Sequence, residues 1–184
     1  GDWNGHPNVD WHRERLWSWV DSPPMYYGQN LVRQAYAKLN RLTAGLPTSR
    51  DAPNKLAASY RLMEMMPVGP LSRGAFLICR VLVVNEGEAV WLARAKWEKG
   101  EVRLRWRWFT GDHEVASASG GWLIGYDVLP GQTYEFTLEI PAPREPGKYA
   151  LELGLVSMQV TSFAEQGSPP LRIPVQVTGP LAGR

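Results

Sequence analysis

The run Glu101-Val-Arg-Leu-Arg-Trp-Arg-Trp108 alternates polar and apolar side chains almost without a break. Val102, Leu104, Trp106 and Trp108 fall on one side of an extended backbone, and Glu101, Arg103, Arg105 and Arg107 on the other. A period of two is what a strand with one buried and one wet face requires. The pattern recurs downstream. Thr133–Ile140 sets Tyr134, Phe136, Leu138 and Ile140 against Thr133, Glu135, Thr137 and Glu139. Lys148–Val156 turns Tyr149, Leu151, Leu153 and Leu155 inward, and Leu171–Val177 does the same with Leu171, Ile173, Val175 and Val177. Upstream, Ser59–Met66 and Ala75–Val84 read as the first two strands, with Val90–Trp97 and Gly121–Val128 as further candidates. Turn residues separate these runs at Asn85-Glu-Gly87, Thr110-Gly-Asp112, Pro130-Gly131 and Pro146-Gly147. Seven or eight short strands over ~120 residues, without helical crossovers, predict a mainly β protein: an immunoglobulin-like antiparallel β-sandwich.

Residues 1–57 follow a different period. Asp10 is placed to cap a helix over Trp11–Val20, and Asp21-Ser-Pro-Pro24 stops it, because proline lacks the amide donor. A second helix is predicted over Tyr26–Ala44, with Leu31, Val32, Ala35, Tyr36, Leu39 and Leu42 on one face. Gly45 and Pro47 end it, and polar Thr48–Asn54 reads as a linker. Ala75–Val84 is apolar on both faces, interrupted by Arg80 alone, so both faces need cover. The sandwich core covers one. The expectation for the other is the N-terminal helical extension, packed on one sheet. The organisation read from the sequence is thus an extension at 1–57, a sandwich at 58–178 and a tail at 179–184.

With 184 residues the chain holds one domain and an extension. Net charge is +2, too small to imply nucleic acid or an anionic membrane without a concentrated patch. Cys79 is the only cysteine, which excludes an intrachain disulfide, and no apolar run approaches the ~20 residues of a bilayer span. The chain opens on Gly1 rather than methionine, so the expectation is a fragment whose upstream part, with any membrane segment, is missing. Nine tryptophans are unusual and fit either a heavy core or a stacking surface.

Val81-Leu-Val-Val-Asn85-Glu-Gly87 followed by Trp91 resembles the opening of bacterial immunoglobulin-like accessory domains, and Leu104-Arg-Trp-Arg-Trp108 resembles their next strand. Asp127-Val-Leu-Pro-Gly131, Pro141-Ala-Pro143, Glu145-Pro-Gly-Lys-Tyr149, Leu153-Gly-Leu-Val156 and Gly167-Ser-Pro-Pro-Leu-Arg-Ile-Pro-Val175 follow in the same order. The resemblance covers about residues 60–178. Such domains stand C-terminal to glycosyltransferases, methyltransferases and membrane proteins of cell-envelope glycan pathways. A more distant likeness is the four-tryptophan domain of autophagy receptors, which binds peptides. Where that family often has an aromatic pair before the final strand, Val160-Thr-Ser-Phe163 keeps one ring. The resemblance implies an extracytoplasmic setting, periplasmic or at the cell surface, and a non-catalytic accessory role.

The residues themselves show little chemistry. His6, Asp10 and His12 have no metal-ligand spacing, and Asp112, His113 and Glu114 read as a turn. Ser72 and Ser117 lack a nucleophile elbow, no glycine pattern cradles a phosphate, and Cys79 faces the predicted core. Neither catalytic residues, metal nor cofactor are therefore expected. Two binding candidates remain. Trp91, Trp97 and Trp122 lie near turns or strand ends and are candidates for an exposed platform that stacks on sugar rings. Arg103, Arg105 and Arg107, at ~7 Å intervals, form a candidate ladder for acidic groups or a protein partner. The ladder's competing reading is a solvated face neutralised by Glu135, Glu139 and Glu152 on neighbouring strands. Trp3, Trp11, Trp17 and Trp19, beside Arg13 and Arg15, also suit a membrane interface. The sequence thus supports a glycan-binding or accessory module first, and a protein–protein scaffold second. A hydrolase comes last.

Overall fold

The computed structural model describes residues 45–123 and 126–179. The expected helices at Trp11–Val20 and Tyr26–Ala44, with His6, Asp10, His12 and the N-terminal tryptophans, lie outside the described residues. The chain is mainly β. In order, β1 spans Ala58–Met66, β2 Leu71–Ser72, β3 Phe76–Asn85, β4 Val102–Thr110, β5 His113–Trp122, β6 Thr133–Pro141, β7 Gly147–Ser157, β8 Thr161–Ser162 and β9 Leu171–Thr178.

The strands form two sheets. One has the order β1-β3-β6, and the other β2-β9-β7-β4-β5 with β8 beside β7. The long pairings are antiparallel, and the short β2–β9 contact runs parallel. The chain passes from sheet to sheet five times, between β1 and β2, β2 and β3, β3 and β4, β5 and β6, and β6 and β7. This is the two-layer arrangement that the alternating runs of β4, β6, β7 and β9 require, since each buries one face.

The inner faces supply the core. Leu104, Trp106 and Trp108 of β4 face inward with Leu151, Leu153 and Leu155 of β7, against Cys79, Val81 and Val83 of β3 and Phe136, Leu138 and Ile140 of β6. Tyr60 ties the layers together: its hydroxyl accepts the Leu155 amide proton across the sandwich at 3.0 Å. Burial raises the Tyr60 phenol to about 12 against this hydrogen bond, and raises the Cys79 thiol to about 11.

The resemblance motif around Asn85 proves structural. Asn85 is fully buried, and its amide nitrogen donates to the carbonyls of Ala89 and Val128 at 3.0 Å each. Its side-chain oxygen accepts the Gly87 amide. A Cβ on Gly87 would stand 2.3 Å from the Lys55 carbonyl oxygen, so that turn admits only glycine.

Four expectations need correction. Thr48–Asn54 is tied into the sandwich rather than being a free linker: Thr48 bridges Val90, and buried Ser49 donates to the Gly100 carbonyl and accepts the Leu92 amide. Val90–Trp97 is not a strand. Its first residues are taken by separate partners, Thr48, Val128 and Glu101, so no continuous ladder forms. The strand expected at Gly121–Val128 lies upstream instead, as β5. Asp112 closes the turn, but His113 and Glu114 already belong to β5 and pair with Thr110 and Phe109.

On the outer face of the smaller sheet, Phe76 and Ile78 are exposed, while Leu82 and Val84 are half-buried. Arg80 divides this stripe and bridges Glu64 and Glu135 at 3.0 and 2.7 Å.

Candidate functional site

The three tryptophans of the expected platform do not share one environment. Trp91 is 0% exposed, pairs through its backbone with Val128, and sets its ring edge-on to Phe163 at 5.4 Å. It belongs to the core, because the β3–β4 connection folds inward over the sandwich at that point. Trp97 and Trp122 are 80% and 50% exposed.

Trp122 ends β5 and lies opposite Arg103 of β4, so both project from the outer face of the larger sheet. The Arg103 guanidinium carbon stands 5.6 Å from the Trp122 ring centre. The same guanidinium holds Glu98 and Glu101 at 2.9 Å each. Burial disfavours its charge, but the two carboxylates outweigh that penalty and hold its pKa above the usual arginine value. An open cavity of about 380 Å³ is lined by Arg94, Glu98, Glu101, Arg103 and Trp122.

The loop that carries Trp97 is fixed in an unusual backbone. Trp97 and Glu98 both have a φ of 60°, the left-handed region that bulky residues rarely enter. Several bonds hold it there. Gln159, itself at φ 58°, donates its side-chain amide to the Trp97 carbonyl at 2.8 Å. The Gly100 amide donates to Met158, and the Ala93 amide to the Asp127 carboxylate. Gly100 is required there: its φ is +87°, and a Cβ would meet that of Arg50 at 2.3 Å. The result is a pre-formed loop that presents an indole to solvent beside a paired arginine.

The arginine ladder is present, with each guanidinium beside a carboxylate. Arg107 is bonded to Glu152 and stands 3.6 Å from Glu114; Arg172 holds the other Glu152 oxygen at 3.1 Å. Phe109 lies between Arg107 and Arg172, 5.2 Å from each guanidinium carbon. Arg105 has the loosest pairing, Glu114 at 3.9 Å. Of the acidic partners expected from the sequence, Glu152 faces the ladder, while Glu135 belongs to Arg80 on the other sheet. Glu98, Glu101, Glu114, Arg94 and Arg172 were not singled out as site residues by sequence pattern. The signal for Glu101 was present in its place on the polar side of β4; the others needed the fold. Among the described residues no cluster of His, Cys, Asp or Glu is arranged for a metal.

Neither a protein-family model nor a curated protein sequence matches this chain. Among solved structures it is similar to the C-terminal domain of Wzt, at 17% identity and a TM-score of 0.46, over 68% of this chain and 75% of that one. It is also similar to a CARDB domain from Pyrococcus furiosus, solved in complex with di-metal ions, at 11% identity and a TM-score of 0.39, over 67% and 87%. A third likeness is to β-glucosidase from Listeria innocua, at 12% identity and a TM-score of 0.39, over 67% of this chain but 16% of that one. These likenesses concern the immunoglobulin-like β-sandwich alone.

Proposed function

We propose that this chain is a non-catalytic binding module that recognises a glycan at the Trp122 end of the sandwich. The observation that carries the reading is Trp122 itself: half exposed, beside Arg103, and open to a cavity rimmed by charged planar groups. An aromatic ring stacks on the C–H face of a sugar, while guanidinium and carboxylate groups bond its hydroxyls in pairs. Exposed Trp97 precedes Glu98, which lines the cavity and pairs with Arg103, and is the second ring that this end of the sandwich offers a sugar.

By the motif order in the sequence, such a module would serve an envelope-glycan enzyme or membrane protein outside the cytoplasm. The reading is tested by titrating the chain with a broad oligosaccharide panel while following tryptophan fluorescence. A saturable change that Trp122→Ala removes supports it. A flat response across the panel ends it. The second reading, a scaffold for a protein partner, is favoured by a different observation, the uncovered edge of β5.

A further inference from the structure

Among the described residues, β5 is the last strand of the larger sheet and pairs with β4 alone. From His113 to Ala118 every residue is exposed, so the three-stranded sheet does not reach over this part of the edge. Protected edges carry inward charges, lysines or proline. Between Glu114 and Trp122, β5 reads Val-Ala-Ser-Ala-Ser-Gly-Gly and has none of these; among the described residues its edge devices are the irregularities at each end of the strand. Irregularities flank a regular stretch, Ala116 to Ser119, which pairs without a break against Arg105 to Trp108.

The two faces of that stretch differ. Ala116 and Ala118 lie opposite Trp108 and Trp106 and share their inward side. Because these alanines are small, a trough of about 540 Å³ remains beside them, walled by Trp106, Val115, Pro141, Pro143 and Tyr149. Ser117 and Ser119 lie opposite Arg107 and Arg105 on the outward side. Their short side chains leave Arg105, whose guanidinium is paired only loosely with Glu114 of β5, within reach of a strand set beyond β5, ~10 Å away at two strand spacings, while Arg107 is held by Glu152 of β7. Among the described residues, Arg105 has one ion pair, stretched to 3.9 Å.

We propose that the free edge of β5 accepts an extended peptide as an added strand, with apolar side chains turned into the trough and acidic ones turned towards Arg105. Main-chain hydrogen bonds along Ala116–Ser119 supply affinity without sequence preference, and the two faces supply selection. The docking stretch uses other residues than the glycan site, although its near end, Ser119, stands ~10 Å from Trp122 along the strand. The inference therefore does not depend on the glycan reading.

The test uses two end-blocked peptides of about eight residues, one alternating valine with glutamate and one alternating valine with lysine. Each is titrated into the full chain at low salt by calorimetry, with amide chemical shifts to locate the contact. The glutamate peptide is expected to bind roughly tenfold more tightly, to shift the amides of 115–119, and to weaken as salt is added. In Arg105→Glu the preference should reverse in favour of the lysine peptide, an outcome that mere loss of folding cannot produce. Equal affinity for both peptides, or binding of neither, overturns the proposal. So does a dimer in sedimentation velocity that Ala118→Lys dissolves and neither peptide competes away, because the edge would then belong to a second copy of the chain.

Discussion

Arg103 stands between two functions: its guanidinium carbon lies 5.6 Å from the Trp122 ring centre, while its nitrogens hold Glu98 and Glu101 at 2.9 Å. Through Glu98 the pairing also anchors the loop that exposes Trp97. The arginine thus acts as a positioning residue for both indoles as well as a rim donor of the cavity.

Substitutions at Trp122 and Arg103 should therefore separate. Trp122→Ala removes a half-exposed ring and is expected to cost at most about 1 kcal/mol of stability while abolishing the glycan response. Arg103→Ala releases two carboxylates, one of them on buried Glu101, and should cost about 1–3 kcal/mol as well as affinity. Urea denaturation beside the fluorescence titration reads both effects.

Trp91 should behave in the opposite way. Its side chain is fully buried against Phe163, so Trp91→Ala should cost about 3–5 kcal/mol through the cavity it leaves. Denaturant midpoints for Trp91→Ala and Trp122→Ala, compared directly, check the assignment of one ring to the core and the other to the surface.

Glu152 is 6% exposed and accepts from both Arg107 and Arg172. Removing it leaves two arginines, both partly solvated, without their shared carboxylate. Glu152→Ala is expected to destabilise by about 1–3 kcal/mol, less than a fully buried pair would lose. Equal stability of this variant and the parent would show that the network is only a solvated surface.

Alkaline pH probes the core. Tyr60 and Cys79 titrate near 12 and 11 in the folded chain, against ordinary values of 10.0 and 9.0. Between these limits the folded state binds more protons than the unfolded one, so stability falls as pH rises. Their contribution is fully present below pH 9 and is lost between about 9 and 12. Urea midpoints from pH 8 to 11 should decline, with a shallower slope in Cys79→Ala. A native thiol that reacts quickly with a disulfide reagent at pH 8 would contradict the same account.

Most strands that the sequence revealed have two faces that differ in polarity, and β3 stood out instead as a short run apolar on both. In β4 and β6 bulky apolar residues alternate with polar or charged ones, and in β7 with Lys148, Ala150, Glu152 and Gly154, so the sequence placed Glu152 on the face of the arginines while its pairing with Arg107 came from the fold. β5 was not legible, because Ala116, Ser117, Ala118, Ser119, Gly120 and Gly121 offer no contrast between faces. Its place is set by pairing with β4. The platform was half legible for a related reason. Trp91 and Trp122 both lie near turns in sequence, and what divides them is Phe163 and Val128 closing over the former. Glu98 reaches Arg103 only because Trp97 and Glu98 take a left-handed backbone, which no local sequence pattern announces.

The most direct test of the glycan reading is an ¹H–¹⁵N spectrum of the indole protons during titration with an oligosaccharide that calorimetry shows to bind. The account predicts that the Trp122 and Trp97 signals move and saturate together, while those of buried Trp91 and Trp108 stay in place. Saturable binding that leaves the Trp122 indole unmoved would contradict it.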